Sequence, residues 1–167
     1  IEQRAGGCTW PLSYSYNGGS SEWVMGPFDT RQEALDTSKG KLEKVLLRLI
    51  EKGRMDDAKK ADIQSKINYV SSMQEFKSCD LIIEAIIEDL GIKKKVFQEV
   101  ESIVSDDCII ASNTSSLSIA SIAAACQHPE RVVGIHFFNP APLMKLVEII
   151  PAVQTSPEVT AKSREII

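Results

Sequence analysis

The chain predicts an α/β domain with a mainly parallel sheet and flanking helices. Three observations carry this. The runs 81–85 (LIIEA) and 108–111 (CIIA) are short and nearly continuous in apolar residues, as strands buried on both faces of a parallel sheet are. Between and around such runs the apolar spacing turns helical. Leu42, Val45, Leu46, Leu49 and Ile50 share one face, as do Ile92, Val96, Phe97, Val100, Ile103 and Val104. Strand-like and helix-like runs then alternate along most of the sequence, the order of βα units.

Taken from the start, residues 1–26 differ in character from the rest. Trp10, Leu12, Tyr14 and Tyr16 alternate with small or polar residues, Asn17-Gly18-Gly19 follows, and Glu22-Trp23-Val24-Met25 comes next. Alternation around an Asn-Gly turn predicts a β-hairpin. Its structural reading is a small ribbon packed on the domain; its functional readings are an aromatic binding surface or a separate binding module. Gly26-Pro27 interrupts this run, which makes Trp23-Val24-Met25 a poor parallel strand. The expected division is therefore a hairpin segment, 1–26, and an α/β domain, 27–167.

Residues 31–52 predict a long helix, with Asp29 or Thr30 as its cap and Gly53 as its stop. A shorter helix over 56–67 follows, and the lysines of both read as solvated faces. Residues 67–70 predict a short strand, 73–77 a brief helix, and 81–85 a strand ending at Glu84 and Glu88. The next helix spans 89–104, where Glu88 and Asp89 suit its positive N-terminus. Lys93, Lys94 and Lys95 read as an exposed charge run. After the strand 108–111 come Ser112-Asn113-Thr114-Ser115-Ser116, small polar residues that can cap a helix or face a ligand. Residues 118–126 predict a helix, His128 a surface turn, and 157–167 a last helix with Ser156 as N-cap and Pro157 at its first position.

The most informative stretch is 132–151, VVGIHFFNPAPLMKLVEIIP. It predicts strands over 131–135 and 145–150, joined by a loop with Asn139-Pro140 and Ala141-Pro142. If the strands are neighbours, His136 and Glu148 can meet, and a carboxylate-oriented His is a general acid/base for neutral pH. The alternative is a buried, hydrogen-bonded His and an exposed strand Glu.

Composition narrows the function classes. The net charge of −4 disfavours nucleic acid and anionic membranes as partners. No apolar run approaches the roughly 20 residues of a membrane span, and no secretory signal is visible, so a cytoplasmic location is expected. Cys8, Cys79, Cys108 and Cys126 are scattered, with no C-x-x-C pair, and read as small apolar fillers with no metal site.

Asn113-Thr114-Ser115-Ser116, GIHFFNP and MKLVE, with the chain from about Phe28 onward, strongly resemble the NAD-binding domain of (S)-3-hydroxyacyl-CoA dehydrogenases. The resemblance implies a Rossmann-like sheet, NAD as cofactor and an acyl-CoA as substrate. It implies that His136 removes the hydroxyl proton, Glu148 orients His136, and Ser115 holds the substrate oxygen. It places Asn113 beside the nicotinamide, Glu88 and Lys93 near its ribose, and Asp29 on the adenosine ribose, favouring NAD over NADP. It also implies a homodimer through a C-terminal helical domain.

The sequence departs from the family pattern at both ends. G-x-G-x-x-G, whose glycines let the backbone approach a dinucleotide pyrophosphate, does not occur. Nor is the helical domain found. The expectation is thus an α/β, Rossmann-like domain incomplete at both ends, either a dehydrogenase or a non-catalytic remnant that acts as a folded binding or dimerising domain.

Overall fold

The computed structural model of the chain describes residues 12–17, 20–25, 32–70, 72–138 and 144–167. Asp29, Gly6-Gly7, Gly18-Gly19 and the Asn139–Pro142 turn lie outside the described residues.

Seven strands form one sheet in the order β3-β2-β1-β4-β5-β6-β7. They are β1 (Leu12–Asn17), β2 (Ser20–Met25), β3 (Ile67–Tyr69), β4 (Leu81–Glu84), β5 (Ile109–Ser112), β6 (Val132–Phe137) and β7 (Val147–Pro151). β4, β5 and β6 are mutually parallel, and β2 is parallel to β3. β1 is antiparallel to both neighbours, and β7 is antiparallel to β6. The carboxyl ends of β2 to β6, β1 excepted, therefore share one edge of the sheet.

The apolar runs alternate faces as the pleat requires. Ile82, Ile110 and Val132 point to one side, where they join Phe97, Val100 and Ile122 in a buried cluster. Leu81, Ile83, Ile109, Ala111, Val133 and Ile135 point to the other, against Val147, Ile149, Val159 and Ile166. The first cluster is covered by α3 (Leu90–Glu101) and α4 (Ile119–Ala123), the second by α5 (Pro157–Ile166). Burial on both faces explains why these strands read as unbroken apolar runs.

α1 (Gln32–Glu51) and α2 (Asp57–Ser65) form the helical arm between β2 and β3. α1 ends where expected: Gly53 takes φ 63°, and its N–H donates to the Ile50 carbonyl at 2.8 Å, a left-handed stop suited to glycine. Its buried stripe is narrower than the spacing predicts. Leu46 is buried, while Val45 and Leu47 are exposed. Ile92 on α3 is likewise exposed, while Leu90, Val96, Phe97 and Val100 of the same helix pack against the core. Ser118 and Ser156 cap α4 and α5, each accepting from a backbone N–H three residues on.

Two expectations change. Trp23-Val24-Met25 does form a strand with a parallel partner, since β2 ends before Gly26-Pro27. The hairpin's strands are not a ribbon laid on the domain: they occupy the sheet between β3 and β4.

Candidate active site at the carboxyl edge

The polar residues gather where β4, β5 and β6 end, the edge at which open parallel sheets bind ligands. His136 lies near the end of β6, directly opposite Glu148 of β7. Directly paired strand residues bring their side chains together, and His136 Nδ1 sits 2.9 Å from Glu148 Oε2. His136 is 16% exposed and Glu148 49% exposed, so the ring is sheltered and the carboxylate reaches it from the solvent side. The Phe138 ring packs on the imidazole with centroids 4.7 Å apart. An imidazole donating from Nδ1 to a carboxylate keeps Nε2 as its basic nitrogen. The arrangement can take up and return one proton.

β5 supplies the second part. Asn113 follows its last residue, and Asn113 Oδ1 accepts from the Phe137 N–H at 2.8 Å. This bond ties the loop after β5 to the strand that carries His136. Ser115 is exposed in the same loop. Thr114, buried beneath it, accepts through Oγ1 from the N–H groups of Ser116 and Leu117.

β4 supplies the third. Asp89, not Glu88, caps α3, its Oδ1 accepting from the Ile92 N–H at 2.8 Å. Glu88 is left to face the loop after β5: Oε1 accepts from the Thr114 hydroxyl and, at 3.1 Å, from the Ser116 hydroxyl. Burial pushes the Glu88 carboxyl up, but the Thr114 hydrogen bond and the Lys93 ammonium, with Ser116, outweigh it and hold the group below the usual carboxylate range. Lys93 lies beneath, 1% exposed. Its Nζ is 2.7 Å from Glu84 Oε1 and 3.3 Å from Glu88 Oε2, and it donates to the Ile86 carbonyl at 3.3 Å. Three partners match the three protons of an ammonium. Lys93 is thus not an exposed charge, as its lysine run suggests.

The edge brings together His136, Glu148, Asn113, Ser115 and Glu88, with Lys93 one layer below; Asp29 falls outside the described residues. Sequence reasoning missed Glu84, 3% exposed, whose carboxylate links Lys93, the Ile86 N–H and the Ser112 hydroxyl. Its one signal was a charge inside an apolar strand run.

The edge can be tested for fit to a dinucleotide. Glu88 is fixed yet 41% exposed. A carboxylate has roughly four acceptor positions, so one remains for a ribose hydroxyl after Thr114, Ser116 and Lys93. That end fits. The centre of the sheet differs from a strand–turn–helix phosphate site. β1 pairs Leu12 with Ile83 and Tyr14 with Leu81, so it runs toward the opposite edge, where Asn17 pairs with Ser20. β1 therefore ends away from the cluster.

Residues 22–167 match the family described as "3-hydroxyacyl-CoA dehydrogenase, NAD binding domain". A probable 3-hydroxybutyryl-CoA dehydrogenase of Deinococcus radiodurans is 45% identical over 130 residues, 78% of this chain and 46% of that protein. A fatty acid oxidation complex subunit alpha of Psychrobacter arcticus is 41% identical over 133 residues, 80% of this chain and 18% of that protein. Among solved structures, (S)-3-hydroxybutyryl-CoA dehydrogenase from Ralstonia eutropha superposes with a TM-score of 0.82 at 37% identity, covering 86% of this chain and 50% of that one. The chain thus spans about half the length of these relatives or less.

Proposed function

Because the chain belongs to the NAD-binding domain family of the 3-hydroxyacyl-CoA dehydrogenases, we propose that its carboxyl edge serves the reversible oxidation of a (S)-3-hydroxyacyl-CoA to the 3-oxoacyl-CoA, a step of acyl-CoA degradation. The observation that carries this reading is the cross-strand pair of His136 and Glu148 at 2.9 Å. NAD, when bound, supplies the hydride acceptor. His136 takes the hydroxyl proton on Nε2 as hydride leaves the same carbon. Glu148 holds the ring through Nδ1 and stabilises its charged form. Ser115 and Asn113 orient the substrate oxygen. Glu88 faces the nicotinamide ribose, and Asp29 would face the adenosine ribose by family position.

The test pairs binding with turnover. NADH binding is followed by fluorescence, and acetoacetyl-CoA-dependent NADH oxidation is assayed in wild type and His136→Ala. Loss of turnover in the variant with NADH binding retained supports the assignment. Near-normal turnover in the variant overturns it.

A second reading rests on the direction of β1. With β1 ending away from the cluster, this reading makes the chain a folded binding or dimerising domain that does not turn over substrate. Circular dichroism showing a folded chain, without saturable NADH binding, favours this reading over the first.

A further inference from the structure

We propose that Lys93 and Glu84 are a buried positioning pair that locks the loops after β4 and β5 to one another, and thereby sets Glu88, Asn113 and Ser115. The inference rests on the reading of the carboxyl edge as the active site.

Burying two opposite charges is a poor route to stability. Their desolvation cancels much of their attraction, and a packed apolar pair of similar volume serves as well or better. What this pair does, which an apolar pair cannot, is hydrogen-bond loops. Glu84 Oε1 accepts from Lys93 Nζ at 2.7 Å and from the Ile86 N–H at 2.5 Å. Lys93 returns to the same residue, donating to the Ile86 carbonyl at 3.3 Å. Ile86 is held at both backbone groups, two residues before Glu88.

The other oxygen works on the second loop. Glu84 Oε2 accepts from the Ser112 hydroxyl at 2.7 Å, and Ser112 Oγ accepts from the Thr114 N–H at 3.3 Å. The Glu84 carbonyl accepts from the Asn113 N–H at 2.7 Å. Lys93 also reaches Glu88 Oε2 at 3.3 Å, and Glu88 closes the circuit through the Thr114 and Ser116 hydroxyls. Every link is a side chain or backbone group of residues 84–93 or 112–116. The pair acts on the edge through Glu88 and Asn113.

The test uses Lys93→Met, the double variant Glu84→Leu/Lys93→Met, and the mild Ser112→Ala. Hydrogen exchange read by mass spectrometry reports the loops without any ligand. In Lys93→Met the melting temperature falls, and exchange rises about tenfold or more in both 85–88 and 112–116, the scale of losing a hydrogen bond to a charged group. In the double variant the melting temperature recovers, because no uncompensated charge stays buried, but both loops still exchange fast. Ser112→Ala loosens 112–116 alone. Recovery of slow exchange together with stability in the double variant overturns the inference, as does exchange that rises in neither loop of Ser112→Ala. Where wild type turns over acetoacetyl-CoA, the double variant loses kcat about tenfold or more with little change in its KM for that substrate. Exchange that behaves as expected in a wild type without turnover sinks the dehydrogenase reading and leaves the loop lock standing.

Discussion

Glu88 shows how one side chain's surroundings become a dependence on pH. Burial favours its neutral form, yet the hydroxyls of Thr114 and Ser116 and the Lys93 ammonium favour the charged one and prevail. A carboxyl whose folded value is lowered contributes stability above its unfolded value, and that contribution fades as the pH falls through the folded one. The difference in melting temperature between wild type and Glu88→Gln is therefore largest at neutral pH and closes below about pH 4, the ordinary carboxylate range. A gap that stays constant from pH 7 to pH 3 refutes this account. Two of the four cysteines were legible as fillers: Cys79 and Cys108 are buried, and burial pushes the Cys108 thiol up to about 12, while Cys8 lies outside the described residues. Lys93 was not legible, because nothing in a run of three lysines says which one turns inward. The strand end nine residues earlier, with Glu84 inside it, supplies the first acceptor, and Ile86 and Glu88 supply the others.

At the level of elements, the apolar runs identified β4 and β5, and Ser156 identified the start of α5. Spacing predicted more buried positions on α1 and α3 than the sheet covers, since periodicity marks a face and not the width of its contact. β6 carries a constraint that the sequence does not announce. Gly134 lies beneath α4 and beside β7, where an added Cβ would meet Ile119 Cγ1 and Cδ1 and Ile150 Cβ, each at 3.0 Å. The Ile119 side chain can yield, but Ile150 Cβ is fixed to a paired strand. Gly134→Ala is expected to destabilise the fold by about 1–3 kcal/mol, the usual cost of overpacking a filled core. Denaturant unfolding checks this, and an unchanged midpoint shows that α4 and β7 separate freely. Because the same strand carries His136 two residues on, the variant is also expected to lower turnover where wild type has it.

For the whole molecule, the α/β class was readable from alternation, while the direction of β1 was not. Period-two spacing is the same for a strand read in either direction, and an Asn-Gly turn fixes the hairpin without saying which sheet receives it. The consequence is mechanical. β4 is buried along its length and pairs with β5 on one side and β1 on the other. β3, which leads from the helical arm, is joined to the sheet through β2. Take away β1 and β2, and β4 presents a bare row of peptide groups over an apolar face, the form of edge that invites aggregation, while β3 and the arm lose their only sheet partner among the described residues. We therefore propose that 1–26 and 27–167 fold as one unit. A variant lacking residues 1–26 is expected to lose cooperative unfolding and to associate in sedimentation velocity. A monomer that melts with the wild-type midpoint and cooperativity would instead make the hairpin a separate module, and β4 would then need another cover for its free edge.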